Sequence, residues 1–214
     1  MAGVTVFAHP GEILAVVGGH GAGKSALLRT VAGVARPESG MVRLEGTDLT
    51  ALGAHERASR GIAYIGDGRR VLDRLSVGDN LLLGARRRRD RSAVAADFEE
   101  WLRRFPGLAA VRQRRAATLE PALRTAAALG RAWLARPSVL MVDEPFVRIG
   151  DEARAGIAAA LRTARDAGLV VICAFHEPAD ASIADRVNLL ATGRLIFSGS
   201  PATLAASGAA TSLE

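Results

Sequence analysis

Gly18-Gly19-His20-Gly21-Ala22-Gly23-Lys24-Ser25 fits the phosphate-loop pattern G-x-x-x-x-G-K-[ST]. Its flanks decide the fold class. Upstream, Glu12-Ile13-Leu14-Ala15-Val16-Val17 is a short apolar run suited to a buried parallel strand. Downstream, Leu27, Leu28 and Val31 fall at helical spacing. Strand, glycine loop and helix start are what a triphosphate cradle needs. Glycines let backbone N–H groups close on phosphate without an intervening Cβ. The helix N-terminus adds unpaired donors and a positive partial charge. The cradle is expected to run from Gly18 through His20 and Ser25 to Ala26. Lys24 is expected to reach the β- and γ-phosphates, and Ser25 to offer its hydroxyl to Mg²⁺. A glycine turn that merely opens a helix is the competing reading, and the flanks weigh against it.

Working outward, a second apolar run, Val139-Leu140-Met141-Val142, ends in Asp143-Glu144-Pro145. Strand C-termini of a parallel sheet line the ligand crevice. Asp143 is therefore expected to meet Mg²⁺, directly or through water. Glu144 is placed to act as general base on an attacking water. His176 follows another apolar run, Leu169-Val170-Val171-Ile172-Cys173-Ala174-Phe175, and can contact a γ-phosphate and that water.

The chain of 214 residues suits one α/β unit, with a 49% hydrophobic share to build its core. Ala, Leu, Val and Ile must fill that core, because aromatics are few. The single Cys173 rules out an intramolecular disulfide and reads as a small core residue. No apolar stretch approaches the ~20 residues of a membrane span. No charged segment leads into an apolar one at the start, so a signal peptide is not expected. The net charge of +6 comes largely from arginine, with runs at Arg86-Arg87-Arg88-Arg89 and around Arg112, Arg114 and Arg115. Such runs could bind nucleic acid or anionic lipid headgroups; the lack of interleaved aromatics weakens a single-strand stacking role, and a solvated helix face or loop is the commoner reading.

Residues 4–17 suggest two strands around His9-Pro10-Gly11, and Met41-Val42-Arg43-Leu44-Glu45-Gly46 suggests another. Residues 76–135 then carry helical periodicity in three segments: around Val77 and Leu81, from Val94 to Phe105, and from Leu119 to Ala135. Beyond Pro137 strands and helices alternate again. The expectation is one domain over residues 1–214. It has an α/β phosphate-loop core at 1–75 and 136–206, a mostly parallel sheet, a small antiparallel part, and a helical subdomain at about 76–135. The small, polar tail from Ser207 reads as frayed.

The whole pattern resembles the nucleotide-binding subunits of ABC transporters, and within them the branched-chain amino acid importer ATPases. The likeness rests on Pro10-Gly11-Glu12-Ile13, the glycine loop, Glu38-Ser39-Gly40-Met41-Val42 and Gly61-Ile62-Ala63-Tyr64-Ile65. It continues through Asp67-Gly68-Arg69-Arg70-Val71, Leu75-Ser76-Val77-Gly78-Asp79-Asn80-Leu81, Gly130-Arg131-Ala132-Trp133-Leu134, the Asp143-Glu144-Pro145 strand end and Ala184-Asp185-Arg186-Val187. The resemblance implies an ATPase that uses ATP and Mg²⁺, with Asp67 at the position of the family's metal- and water-binding glutamine. It implies transmembrane permease subunits and a second ATPase subunit as partners, and a cytoplasmic place, peripheral on the inner face of the plasma membrane. It also implies import of branched-chain amino acids or a similar small solute. Nucleic acid is not an expected partner.

The departures are specific. The family signature L-S-G-G-E/Q is matched by Leu119-Glu120-Pro121-Ala122-Leu123, so its serine and both glycines are gone. Phe146-Val147-Arg148-Ile149-Gly150-Asp151 stands where the family has a small serine and a leucine-rich turn. Ala26 replaces a second hydroxyl beside Ser25. The family's first strand, with its adenine-stacking aromatic, would lie before Met1. The residues that hold the chain's own nucleotide are kept, while those lent to a partner are changed, which favours a heterodimer. The alternatives are a regulatory or decayed paralogue without turnover, and a soluble ABC ATPase acting on nucleic acid or ribosomes.

Overall fold

The computed structural model describes residues 3–68 and 71–207. Its centre is a six-stranded sheet built from β1 (Glu12–Val17), β4 (Ile62–Ile65), β5 (Val139–Asp143), β6 (Val170–Phe175), β7 (Arg186–Ala191) and β8 (Arg194–Gly199). The strand order is β4-β5-β6-β1-β7-β8, parallel throughout except for the final β7–β8 hairpin. β1, β5 and β6 are buried on both faces, which is why they read as continuous apolar runs and not as alternating ones. Along β1 the faces divide. Ile13, Ala15 and Val17 enter one hydrophobic cluster, and Leu14 and Val16 enter the other.

The second cluster packs under α1 (Lys24–Val31), with Leu28 and Ala32 buried in it. The C-terminal end of α1 is held by Arg57 of α2 (Ala54–Ser59), a guanidinium only 1% exposed. Arg57 donates to the backbone carbonyls of Thr30, Val31, Thr50 and Leu52, so a buried cation supplies the partners that terminal helix carbonyls lack. Burial lowers its pKa. Gly33 has a positive φ, and a Cβ there would lie 3.0 Å from this arginine, so the turn beside it needs glycine.

Between β4 and β5 the longer elements of the described chain are helices: α3 (Val77–Gly84), α4 (Arg91–Arg104), α5 (Pro106–Ala110) and α6 (Pro121–Leu134). Ser76 caps α3 by accepting from the Asp79 amide. Asn80, fully buried, exchanges hydrogen bonds with both backbone groups of Leu72 and pins the loop before α3. α3 and α6 approach closely through glycine. A Cβ at Gly84 would lie 1.8 Å from the Arg131 carbonyl, and one at Gly130 would lie 2.4 Å from the Leu81 side chain. Then α7 (Asp151–Asp166), with two acids in its first turn and Gly168 in the left-handed region after its end, leads into β6.

Several expectations need correction. Residues 4–8 form no strand. Only two of the six residues Met41 to Gly46 are strand, as β2 (Arg43–Leu44), paired with β3 (Thr47–Asp48). Glu45 and Gly46 both take positive φ, a tight hairpin turn that consumes the end of the expected strand. The sequence reading missed α5 and α8 (Pro201–Ser207), short helices that each begin at a proline, because too few residues carry the period. The arginine run is not a uniformly solvated face. Arg88 is half-buried and pairs with Asp97 at 2.5 Å and Asp90 at 2.7 Å, and it donates to the Leu134 carbonyl. Arg136, with positive φ, adds two bonds to Asp97. Arg69 and Arg70, and the tail beyond Ser207, lie outside the described residues.

Candidate functional site

The C-terminal ends of β4, β5, β6 and β1 lie along one edge of the sheet, and the candidate residues are carried there. After β1 the loop turns through Gly21 and Gly23, both at positive φ, into α1. A Cβ at Gly18 would meet the Leu190 carbonyl at 2.4 Å, so β7 passes too close for any side chain at that point. Gly193, in the β7–β8 turn, donates its amide to the Ala22 carbonyl and braces the loop from that side. His20, Ser25 and Ala26 are exposed; Ala22 and Lys24 are buried. The Gly23 cap offers no side-chain hydrogen bond to the first turn of α1. These amide donors are those a phosphate would take.

Lys24 folds back over the loop. Its ammonium donates to the carbonyls of Gly18 at 2.7 Å and Gly19 at 3.1 Å and lies 3.7 Å from Glu144 Oε1. Ser25 Oγ donates to Asp143 Oδ1 at 3.1 Å. The phosphate loop and the end of β5, with Ser25 and Asp143 118 residues apart in sequence, are thus joined by an ion pair and a hydrogen bond. Two hard oxygen donors, a hydroxyl and a carboxylate, converge there, and such donors suit Mg²⁺.

Glu144 adopts a positive φ of 53°, uncommon for a side-chain-bearing residue and a frequent mark of functional turns. Its Oε2 accepts the His176 amide at 3.2 Å, so β6 helps aim the carboxylate. Burial raises the Glu144 pKa against the opposing pull of Lys24. The His176 side chain is exposed, with Nε2 3.8 Å from Glu177 Oε1. Phe146 turns inward and stacks on Phe175 at 5.4 Å, which ties the segment after Glu144 to the strand before His176. Asp67 sits exposed on the bend after β4, and among the described residues no hydrogen bond joins it to Ser25 or Asp143.

One residue at this edge was missed in sequence. Tyr64 of β4 donates its hydroxyl to Asp143 Oδ2 at 3.3 Å. Burial first, then the Asp143 charge, pushes its pKa up to about 12, so it remains a donor at any physiological pH. Nothing in Ala63-Tyr64-Ile65 distinguished it from an ordinary strand residue. The β4–β5 neighbour relation supplies the contact.

Elsewhere, residues 119–123 form the entry to α6. Glu120 is its N-cap residue, exposed and without a side-chain cap, and Pro121 takes the first helical position. Among the described residues no helix is long and apolar enough to cross a membrane.

The sequence matches the ABC transporter family over residues 1–147, and the chain belongs to that family. ATP, accompanied by Mg²⁺, is the cofactor of this family's ATPase subunits. The chain is 32% identical over 202 residues to the high-affinity branched-chain amino acid transport ATP-binding protein BraG of Pseudomonas aeruginosa, covering 94% of this chain and 86% of that protein. It is also 32% identical to the sulfate/thiosulfate import ATP-binding protein CysA of Mycobacterium bovis, covering 89% of this chain but 54% of that longer protein. Among solved structures, it resembles the ADP conformation of an ATP-binding cassette of an ABC transporter. The TM-score is 0.83 at 19% identity over 98% of this chain and 90% of that one, a likeness of fold.

Proposed function

We propose that this chain is the ATP-hydrolysing subunit of a membrane importer, peripheral on the inner face of the plasma membrane and docked to transmembrane permease subunits. The observation that carries the reading is the convergence of Lys24 with Glu144 and of Ser25 with Asp143 at the strand ends. The triphosphate is bound by the amides of residues 18–26. Lys24 exchanges its bonds to the Gly18 and Gly19 carbonyls for the β- and γ-phosphate oxygens, a charge-assisted replacement. Ser25 and Asp143 hold Mg²⁺, with Asp67 as a further oxygen donor from the neighbouring strand end. When bound, the ion offsets charge on the phosphates. Glu144, aimed by the His176 amide and made more basic by burial, orients the attacking water and accepts its proton. His176 stands beside it to contact the γ-phosphate.

The solute is a branched-chain amino acid or a similar small molecule. Likeness to BraG supports that reading, while the equal identity to a sulfate importer subunit keeps the solute class broad. The permease docks near residues 67–80. The partner ATPase is a different chain. Glu120 at the α6 entry would set a carboxylate against a partner's γ-phosphate, where repulsion at ~4 Å costs several kcal/mol. Pro121 has no N–H to offer. The buried Phe146 likewise replaces a small polar residue on the segment after Glu144.

The test is Mg-ATP binding and phosphate release by the purified chain across protein concentration, with Glu144→Gln as control. Binding with little turnover, restored by an ATPase carrying an intact signature, is the expected result. Turnover that rises faster than linearly with this chain alone would replace the heterodimer with a self-paired enzyme. No Mg-ATP binding at all would overturn the reading.

A further inference from the structure

The Asp143 carboxylate is approached from two sides. Ser25, on the phosphate loop, donates to Oδ1 at 3.1 Å, and Tyr64, on the neighbouring strand β4, donates to Oδ2 at 3.3 Å. The second contact is provided for by its surroundings. The Tyr64 ring runs past Gly66, where a Cβ would lie 3.1 Å from the phenol oxygen and 3.2 Å from two ring carbons. Gly66 has no positive φ, so backbone strain does not require glycine there; a side chain would instead press on the ring and ask it to give by a few tenths of an ångström. Asp143 is only 1% exposed, so bulk water cannot readily substitute for a lost donor.

We infer that Tyr64 is a positioning residue, which holds one oxygen of Asp143 so that the other stays directed at Ser25 and the Mg²⁺ site. The inference rests on the proposed roles of Ser25 and Asp143. Its physical basis is the strict geometry of Mg²⁺, which demands near-ideal octahedral placement at short distance and tolerates little ligand drift. A donor on each oxygen narrows the swing of a carboxylate about its terminal torsion. Tyr64 contributes no ligand of its own. It acts through Asp143, and its loss would be felt in metal affinity before anything else.

Titration of the full chain with a fluorescent ATP analogue, once with Mg²⁺ varied and once with EDTA present, tests this. Tyr64→Phe, which removes only the hydroxyl, is expected to raise the half-saturating Mg²⁺ about tenfold and to leave metal-free nucleotide affinity unchanged. Gly66→Ala keeps the hydroxyl but crowds the ring, and should move the Mg²⁺ requirement the same way by a smaller factor. An unchanged Mg²⁺ requirement in Tyr64→Phe overturns the inference. So does an equal loss of affinity with and without metal, which would make Tyr64 a packing residue. A wild-type chain whose ATP affinity ignores Mg²⁺ overturns the metal roles of Ser25 and Asp143 and this inference together. A wild-type response that Tyr64→Phe shares in full overturns this inference alone.

Discussion

The helices α1 and α6 both start without a side-chain cap, and their first turns are opposite in character. The start of α1 follows glycines at positive φ, leaves its amides open and sets Lys24 beside them. The start of α6 has Glu120 at the cap position and Pro121 in the first turn. Both ends carry the positive partial charge of a helix N-terminus. At α1 that charge is left for an incoming anion. At α6 the cap residue is itself acidic, although its carboxylate makes no cap hydrogen bond, and one amide donor is removed by proline. A helix N-terminus therefore binds phosphate only where the surrounding residues leave it open.

The contrast can be broken experimentally, beginning with the largest effect. Glu144→Gln should lower any phosphate release, by this chain or with a partner, about a thousandfold while Mg-ATP binding persists. Its effect on stability runs the other way. Burial raises the Glu144 pKa, so the folded state binds the proton more tightly than the unfolded one, and stability falls as pH rises through the raised value. The nucleotide-free Glu144→Gln protein should then melt no lower than wild type at neutral pH, as calorimetry would read. Lys24→Ala removes the ammonium from the α1 start and should weaken ATP binding roughly a hundredfold in the fluorescent titration. Retained affinity would mean that the open amides suffice.

At its far end α6 is anchored by the Leu134 carbonyl, which accepts from Arg88, which in turn pairs with Asp97. Asp97→Asn should cost about 2 kcal/mol in urea unfolding, roughly thirtyfold in the folding equilibrium, discounted because the third member, Arg136, is largely exposed. The α6 start itself is sharpened by Glu120→Ser with Pro121→Gly and Ala122→Gly. Phosphate release by the chain alone should rise about tenfold and grow more steeply with protein concentration. No gain would move the obstacle elsewhere in the pairing surface. The smallest effect is in acid. The hydrogen bond from Arg88 holds Asp90 at about 2, and hydrogen bonds from Arg136 and Arg88 bring Asp97 below its usual value even though burial, the largest single influence, pushes it up. Both contributions are complete above about pH 4 and fade as pH falls, that of Asp90 toward about 2. Asp97→Asn should flatten that part of the acid-unfolding curve.

Sequence by itself determined the phosphate loop, the buried strands and the acidic strand end. Each is a local pattern, whether glycines at fixed spacing, an apolar run or a period. The long helices α4, α6 and α7 were legible for the same reason. Short elements were not. The hairpin of β2 and β3 is set by two positive φ angles at Glu45 and Gly46, and helices of five or seven residues carry too little period to read. Only the tertiary structure decided which polar groups meet. Strand order places β4 beside β5 and brings Tyr64 to Asp143. The return of β6 puts the His176 amide on Glu144, and the packing of α4 on α6 takes Arg88 out of a surface run and into an ion pair. Those meetings join residues 32 and 79 positions apart across the strand ends, and 9 apart around the turn into α4, and local spacing holds no record of them.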